Sequence, residues 1–98
     1  MVSIRDLSAH TRVWYHVNMS VTVLLFASYA DALGASSLSL DLPGEATVAD
    51  LLTDLRRRPG AELLPATPLV AVNQRYASAA SPLRAGDEVA LIPPVAGG

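Results

Sequence analysis

The first regular pattern along the chain is an apolar segment, VTVLLFA, at residues 21–27. Its β-branched and apolar residues occupy odd and even positions alike, so both faces of a strand would be mainly apolar. This pattern is typical of a central strand covered on each face. Residues 28–33 predict a short helical turn, and Gly34 predicts its end because glycine favours the left-handed position after a helix. Residues 37–42 alternate strictly between leucine and a polar residue, so they predict a strand with one exposed face.

The clearest helix signal begins at Thr47, which is a good N-cap, with Asp50 near the positive end of the helix dipole. Apolar residues recur at spacings of three, four and seven, so they form one stripe and predict a helix that lies on a sheet. The stripe consists of Val48, Leu51, Leu52 and Leu55. Arginines at 56–58 suit the negative end, and Pro59 with Gly60 predicts the end of the helix.

Three further strand signals follow a proline-punctuated loop. Residues 69–74 predict a third strand, 75–78 a turn and a short edge strand, and 81–94 a loop with a Gly-Asp turn that enters a last strand. The order strand, strand, helix, strand, short strand, strand favours an α+β fold in which a curved mixed sheet holds one main helix on one face. This order is similar to the ubiquitin-like β-grasp fold.

The N-terminal region is set apart from this pattern. Residues 1–18 have no clear period of 2 or 3.6, so they predict an extension that is either unstructured or upstream of a true start at Met19. The folded domain is expected over residues 19–98. Strand-forming residues at 12–17 could pair with a sheet edge. His10 and His16 also lie there, but two histidines without other ligand types are a weak signal, so no metal site is predicted.

Composition narrows the function classes. With 98 residues, 51% of them hydrophobic and 16% charged, the chain is expected to fold as one domain. A net charge of −2 argues against nucleic-acid binding, and no apolar run reaches the ~20 residues of a membrane helix. The start lacks a secretion signal, so a soluble cytoplasmic protein is expected. Because cysteine is absent, disulfides, iron–sulfur clusters and thiolate zinc sites are excluded.

Strand alternation predicts an exposed apolar patch. The residues expected to face the helix are Val21, Val23, Leu25, Val89 and Leu91, and those expected on the open face are Thr22, Leu24, Phe26, Ala90 and Ile92. The first and last strands of a β-grasp sheet are neighbours, so Phe26 and Ile92 are expected to form one patch, which indicates a partner interface. Two alternatives stay open: the N-terminal segment covers the patch, or a bulge reverses the parity of one strand.

The last six residues predict a slender tail. Pro93 and Pro94 fix φ and remove two backbone donors, so the chain is expected to leave the sheet extended. Gly97 and Gly98 carry no side chain and can enter a slot too narrow for other residues. A glycine pair is weak evidence alone, but a stiff spacer, a β-grasp body and an apolar patch together indicate a chain end that works inside another protein.

These features resemble the small, sulfur-carrying subunit of molybdopterin synthase. The resemblance covers residues 21–98 and depends on VTVLLFA, on VNQ at 72–74 and above all on PLRAGDEVALIPPVAGG at 82–98. It implies that a ubiquitin-activating-type adenylyltransferase adenylates the Gly98 carboxylate with ATP, and that a persulfide sulfur donor converts it to a thiocarboxylate. The sulfur would then pass to cyclic pyranopterin monophosphate in the large subunit of a heterotetramer. No cofactor bound by the chain itself is expected.

The resemblance also implies roles for single residues. Gly98 would be the reacting end and Gly97 part of the inserted tail. Apolar positions matching Phe26, Tyr76 and Ile92 would dock both the activating enzyme and the large subunit, although tyrosine and isoleucine replace the commoner leucine and phenylalanine. The tail residues expected to join that interface are Pro93, Pro94 and Val95.

Other functions remain compatible with the sequence. They are a sulfur carrier for thiamin or cysteine synthesis, a ubiquitin-like protein modifier, and a binding module with an accidental Gly-Gly end. A self-contained enzyme is not expected, because no cluster of Ser, His and carboxylate falls in the regular body. Asn73 and Asp87 are interpreted as turn or ladder residues, and the arginines at 56–58 as a solvated helix end or as partners of acidic groups.

Overall fold

The computed structural model describes residues 18–94. The elements are β1 (Asn18–Leu25), α1 (Ala27–Leu33), β2 (Ser37–Pro43), α2 (Val48–Leu55), a 3-10 helix (Ala61–Leu63), β3 (Leu69–Val72), β4 (Arg75–Ala77) and β5 (Glu88–Ile92). None of the helices in this part of the chain is long and apolar enough to cross a membrane. Residues 1–17 of the predicted extension, with His10 and His16, lie outside the described residues, as do Val95, Gly97 and Gly98.

The five strands form one sheet in the order β2-β1-β5-β3-β4. β1 and β5 pair in parallel, while β1 with β2, β3 with β5 and β3 with β4 are antiparallel. The parallel pair lies beside its antiparallel neighbours at the centre of the sheet, so the predicted α+β class with a mixed sheet is confirmed.

Helix α2 begins where the sequence predicts. The Asp50 amide donates to Thr47 Oγ1 at 3.4 Å, and the Thr47 amide donates to Asp50 Oδ2 at 2.8 Å. This reciprocal capping box satisfies two amides that have no partner inside the helix. Three residues of the predicted stripe are buried in the core and Leu52 is partly buried against it, so the stripe is confirmed.

The core lies between α2 and one face of the sheet. The largest fully buried side chains are Leu25, Leu40, Leu51, Leu55, Leu91, Val21, Val23, Val48 and Val89. Each contributes about 1.5–3 kcal/mol of transfer free energy on burial. All five residues expected to face the helix belong to this set. β1 and β5 therefore turn the predicted side chains toward the core, and no bulge reverses the faces of either strand.

The bounds of β1 and β3 differ from the prediction. β1 starts earlier than predicted, at Asn18, and it ends at Leu25 because Ala27 takes a φ of 48° and begins α1. β3 ends at Val72 because Asn73 and Gln74 both have positive φ, 51° and 71°. Two successive residues of this kind make a tight hairpin turn that matches the twist of the flanking strands.

One of the three arginines after α2 has a structural role. Arg56 Nη2 donates to the carbonyl oxygens of Pro65 and Ala66, each at 2.8 Å. These bonds connect the end of α2 to the loop that enters β3. Arg56 and Arg57 are both exposed, in agreement with the solvated helix end expected from the sequence, and Arg56 in addition holds this loop.

Gly60 lies where two parts of the backbone meet. Its φ is 90°, and a Cβ built on it would lie 1.9 Å from the Ala32 carbonyl oxygen in α1. Any side chain at this position therefore meets both an unfavourable backbone conformation and a main-chain atom that cannot rotate away.

We expect Gly60→Ala to lower the free energy of unfolding by more than about 3 kcal/mol. Gly34→Ala is the matched control, since Gly34 has a similar φ of 75° but open space around its Cβ position. That control is expected to cost only about 1–2 kcal/mol, the usual strain of a left-handed residue. Urea unfolding followed by circular dichroism measures both, and equal losses would contradict the close approach to α1.

Candidate functional site

The open face of the sheet holds an apolar groove of about 390 Å³, here called the open-face groove. Its lining residues are Leu24, Phe26, Ala71, Gln74, Tyr76, Glu88, Ala90 and Ile92. The three docking residues inferred from the sequence are all in this set. The structure therefore brings together Phe26, Tyr76 and Ile92, which are far apart along the chain.

Phe26 reaches the groove from the end of β1. It is not a strand residue but the N-cap of α1, with extended dihedral angles of φ −122° and ψ 151° that continue the direction of the strand. Its carbonyl oxygen accepts from the Tyr29 amide at 3.0 Å, while its side chain stays 48% exposed. The predicted orientation of Phe26 toward the open face is thus confirmed, although its carbonyl oxygen accepts from an amide of α1 and not from a neighbouring strand.

Tyr76 reaches the groove through the hairpin of β3 and β4. The register pairs Ala71 with Tyr76 on one side and with Ala90 on the other, so these three residues share the open face. Tyr76 is 76% exposed, the most exposed large apolar side chain of the described region. Such exposure of a large ring beside other apolar groups is typical of a binding surface.

Ile92 connects the groove to the root of the tail. It is the last residue of β5, pairs with the 49% exposed Leu69, and lines a second groove of about 300 Å³ as well as the first. The second, the tail-root groove, is lined by Tyr29, Pro65, Thr67, Pro68, Leu69, Ile92 and Pro94. Pro93 is half-buried and Pro94 is exposed. Apolar surface therefore continues from the open face to the start of the tail.

Asn73 and Asp87 form a structural link between the hairpin and β5. Asn73 Nδ2 donates to Asp87 Oδ1 at 2.9 Å, and the Glu88 amide donates to Asn73 Oδ1 at 3.0 Å. Asp87 Oδ2 also accepts from the Arg84 amide at 2.8 Å. Their interpretation as turn and ladder residues is confirmed.

Sequence reasoning missed three residues of the open-face groove, Ala71, Gln74 and Glu88. The sequence did contain a signal for Glu88, because Glu88, Ala90 and Ile92 are spaced by two along one strand and must share a face. Gln74 carried no such signal, since its place depends on the hairpin turn.

Titratable side chains do not gather into a metal centre in the described region. Between residues 18 and 94, no three His, Cys, Asp or Glu side chains lie close enough to hold an ion. The groove offers apolar area together with one amide, one phenolic hydroxyl and one carboxylate, which suits protein recognition better than catalysis.

Comparison with known proteins gives a consistent family. Residues 23–98 match the ThiS family. A molybdopterin synthase sulfur carrier subunit from Dictyostelium discoideum is 38% identical over 80 residues, which span 78% of this chain and 93% of the relative. The subunit of the same name from Homo sapiens is 34% identical over 82 residues, spanning 80% of this chain and 93% of the relative.

The fold has solved counterparts. The crystal structure of SAMP1 from Haloferax volcanii, a small archaeal modifier protein, superposes with a TM-score of 0.71 at 34% identity and covers 81% of this chain and 99% of that one. The predicted ubiquitin-like β-grasp fold is confirmed.

Proposed function

The chain belongs to the ThiS family, and we propose that it is the sulfur carrier subunit of molybdopterin synthase, with Gly98 as the residue that carries the sulfur. The observation that carries this proposal is the continuous apolar surface from Phe26 and Tyr76 through Ile92 to Pro94, on a chain whose relatives have this function. A docking surface beside the root of a Gly-Gly tail suits a chain that delivers its end to another protein.

Activation of the tail is the first proposed step. A carboxylate is a poor electrophile, so Gly98 needs a leaving group before sulfur can be attached. Attack of its oxygen on the α-phosphorus of ATP, in an adenylyltransferase of the ubiquitin-activating type, releases pyrophosphate and forms an acyl adenylate. ATP is thus a substrate of the activating enzyme and not a ligand of this chain.

Sulfur attachment is the second step. A persulfide attacks the acyl carbon and displaces AMP, and a thiol then cleaves the resulting acyl disulfide to leave the thiocarboxylate on Gly98. This route lets a chain without cysteine carry sulfur. Gly97 and Gly98 leave the approach narrow, so the sulfur can enter a buried site in the large subunit, where positioning lowers the barrier to transfer onto cyclic pyranopterin monophosphate.

The body of the domain serves recognition in this proposal. Phe26, Tyr76 and Ile92 would pack against the large subunit, and Pro93, Pro94 and Val95 would direct the tail away from the sheet. The chain acts as a substrate-like subunit and not as an enzyme by itself. A second candidate, covalent attachment to protein amines, is favoured by the likeness to the Haloferax modifier and shares the adenylation step.

The proposed chemistry of the tail can be tested directly. Protein incubated with the activating enzyme, ATP and a persulfide source is expected to gain the mass difference between sulfur and oxygen on Gly98, measured by intact-mass and fragment-ion spectrometry. A variant with tryptophan appended after Gly98 is the control and should gain no sulfur on Gly98, because the Gly98 carboxyl is then held in a peptide bond and cannot be adenylated. If the chain without the added tryptophan gains no sulfur, the carrier proposal is contradicted.

The pathway is tested by deleting the gene. Loss of molybdoenzyme activity, restored by the intact gene but not by the tryptophan-extended one, is the expected result. Cysteine or thiamin auxotrophy with normal molybdoenzymes would instead assign the chain to another sulfur-requiring pathway. Gly98-linked adducts on protein lysines, found by peptide mass spectrometry, would favour the modifier.

The docking role is tested by Phe26→Asp. In the unsubstituted chain no side chain caps α1, and aspartate is a better N-cap than phenylalanine. The free energy of unfolding of the variant should therefore stay within about 0.5 kcal/mol of that of the unsubstituted chain. Binding to the large subunit should weaken by about 100-fold or more, because the new charge is buried unpaired. Leu63→Asp is the matched control, since Leu63 is 69% exposed and lines neither groove. Calorimetric titration that shows equal affinities would remove the open-face groove from the interface.

A further inference from the structure

One carboxylate lies inside the otherwise mainly apolar open-face groove. Glu88 begins β5 and shares the outward parity of Ala90 and Ile92, and its side chain is half-buried. Its backbone is engaged, since the Glu88 amide donates to Asn73 Oδ1 and its carbonyl oxygen accepts from the Asn73 amide at 2.8 Å. The side chain takes no part in these bonds, so it is available to the groove.

Within residues 18–94 no cation lies in the groove beside this carboxylate. None of the described arginines is among the lining residues. Arg75 follows the turn next to Tyr76, but strand alternation turns it to the opposite face, because its partner Val72 shares the inward parity of Val89. The other polar side-chain groups of the lining, the Gln74 amide and the Tyr76 hydroxyl, are neutral and supply no positive charge.

A protein that covers the groove must therefore compensate the Glu88 charge. On docking, the apolar side chains of the groove and its partner would exclude water from the carboxylate, and a buried charge without a partner is strongly unfavourable. A partner surface made only of apolar groups would be rejected, whereas an arginine or lysine among such groups would restore the lost solvation with charge-assisted hydrogen bonds.

We propose that Glu88 is the charged anchor of the docking surface, and that the large subunit presents an arginine or lysine to it within an otherwise apolar patch. This inference rests on the proposed function for the identity of the partner. It adds a specificity-determining residue: Phe26, Tyr76 and Ile92 supply buried area, while Glu88 selects for a cation.

The test is calorimetric titration of the full-length chain against the large subunit from the same organism, at low and high sodium chloride. Glu88→Gln keeps the size of the side chain and should weaken binding by about 30-fold or more at low salt. The salt dependence of Kd should also become shallower than in the unsubstituted chain, because one charge pair has gone. Glu88→Arg should weaken binding further by placing two cations together.

Asp41→Asn is the matched control. Asp41 is exposed on the edge strand β2, which β1 separates from β5, and it does not line the groove. The Asp41→Asn substitution removes the same charge as Glu88→Gln and should leave both Kd and its salt dependence unchanged. The urea midpoints of all variants are measured alongside, and that of Glu88→Gln should not move.

The outcomes separate this inference from the proposed function. Tight binding by the unsubstituted chain and equally by Glu88→Gln overturns the anchor and leaves the carrier function standing. No binding by the unsubstituted chain overturns both. A lower urea midpoint with tighter binding in Glu88→Gln would show that an arginine of residues 1–17 occupies the groove, and a dimer lost in that variant would show a second copy there. Either result overturns the proposal.

Discussion

The parallel pairing of β1 with β5 is the constraint on which the rest of the structure depends. It aligns Val23 with Val89 and Leu25 with Leu91, so the two central strands bury matching side chains under α2. Because parallel strands end at the same edge, Phe26 after β1 and the tail after β5 leave the sheet side by side. Core packing thus holds the open-face groove beside the root of the tail at Pro93 and Pro94.

That arrangement separates two physical tasks. The body must be rigid to present a fixed surface, and the many buried aliphatic side chains provide this. In the proposed function the chain end enters another protein's site and must instead be thin, a property that Gly97 and Gly98 supply because they carry no side chain. Pro93 and Pro94 lie between the two regions, where restricted φ values limit the directions that the tail can take.

The sequence predicted those parts of the molecule that depend on local periodicity. Alternation in β1, β2 and β5 gave the correct faces, and the capping residues Thr47 and Asp50 gave the correct start of α2. Boundaries set by tertiary context were less accessible. Positive φ at Ala27 and Asn73 ends β1 and β3 early, and alanine is not a residue from which a left-handed conformation is expected. The position of Gln74 in the open-face groove depends on the hairpin turn that Asn73 and Gln74 form between β3 and β4.

The mixture of apolar and charged groups in the open-face groove has a further physical consequence. A purely apolar exposed face would attract any hydrophobic surface, because apolar burial is not directional. One carboxylate at Glu88 adds a desolvation cost that only a partner with a suitably placed cation can offset. Discrimination between partners therefore comes from a penalty against wrong ones as much as from contacts with the right one. For the proposed sulfur carrier, this penalty would add selectivity between partners without a larger interface.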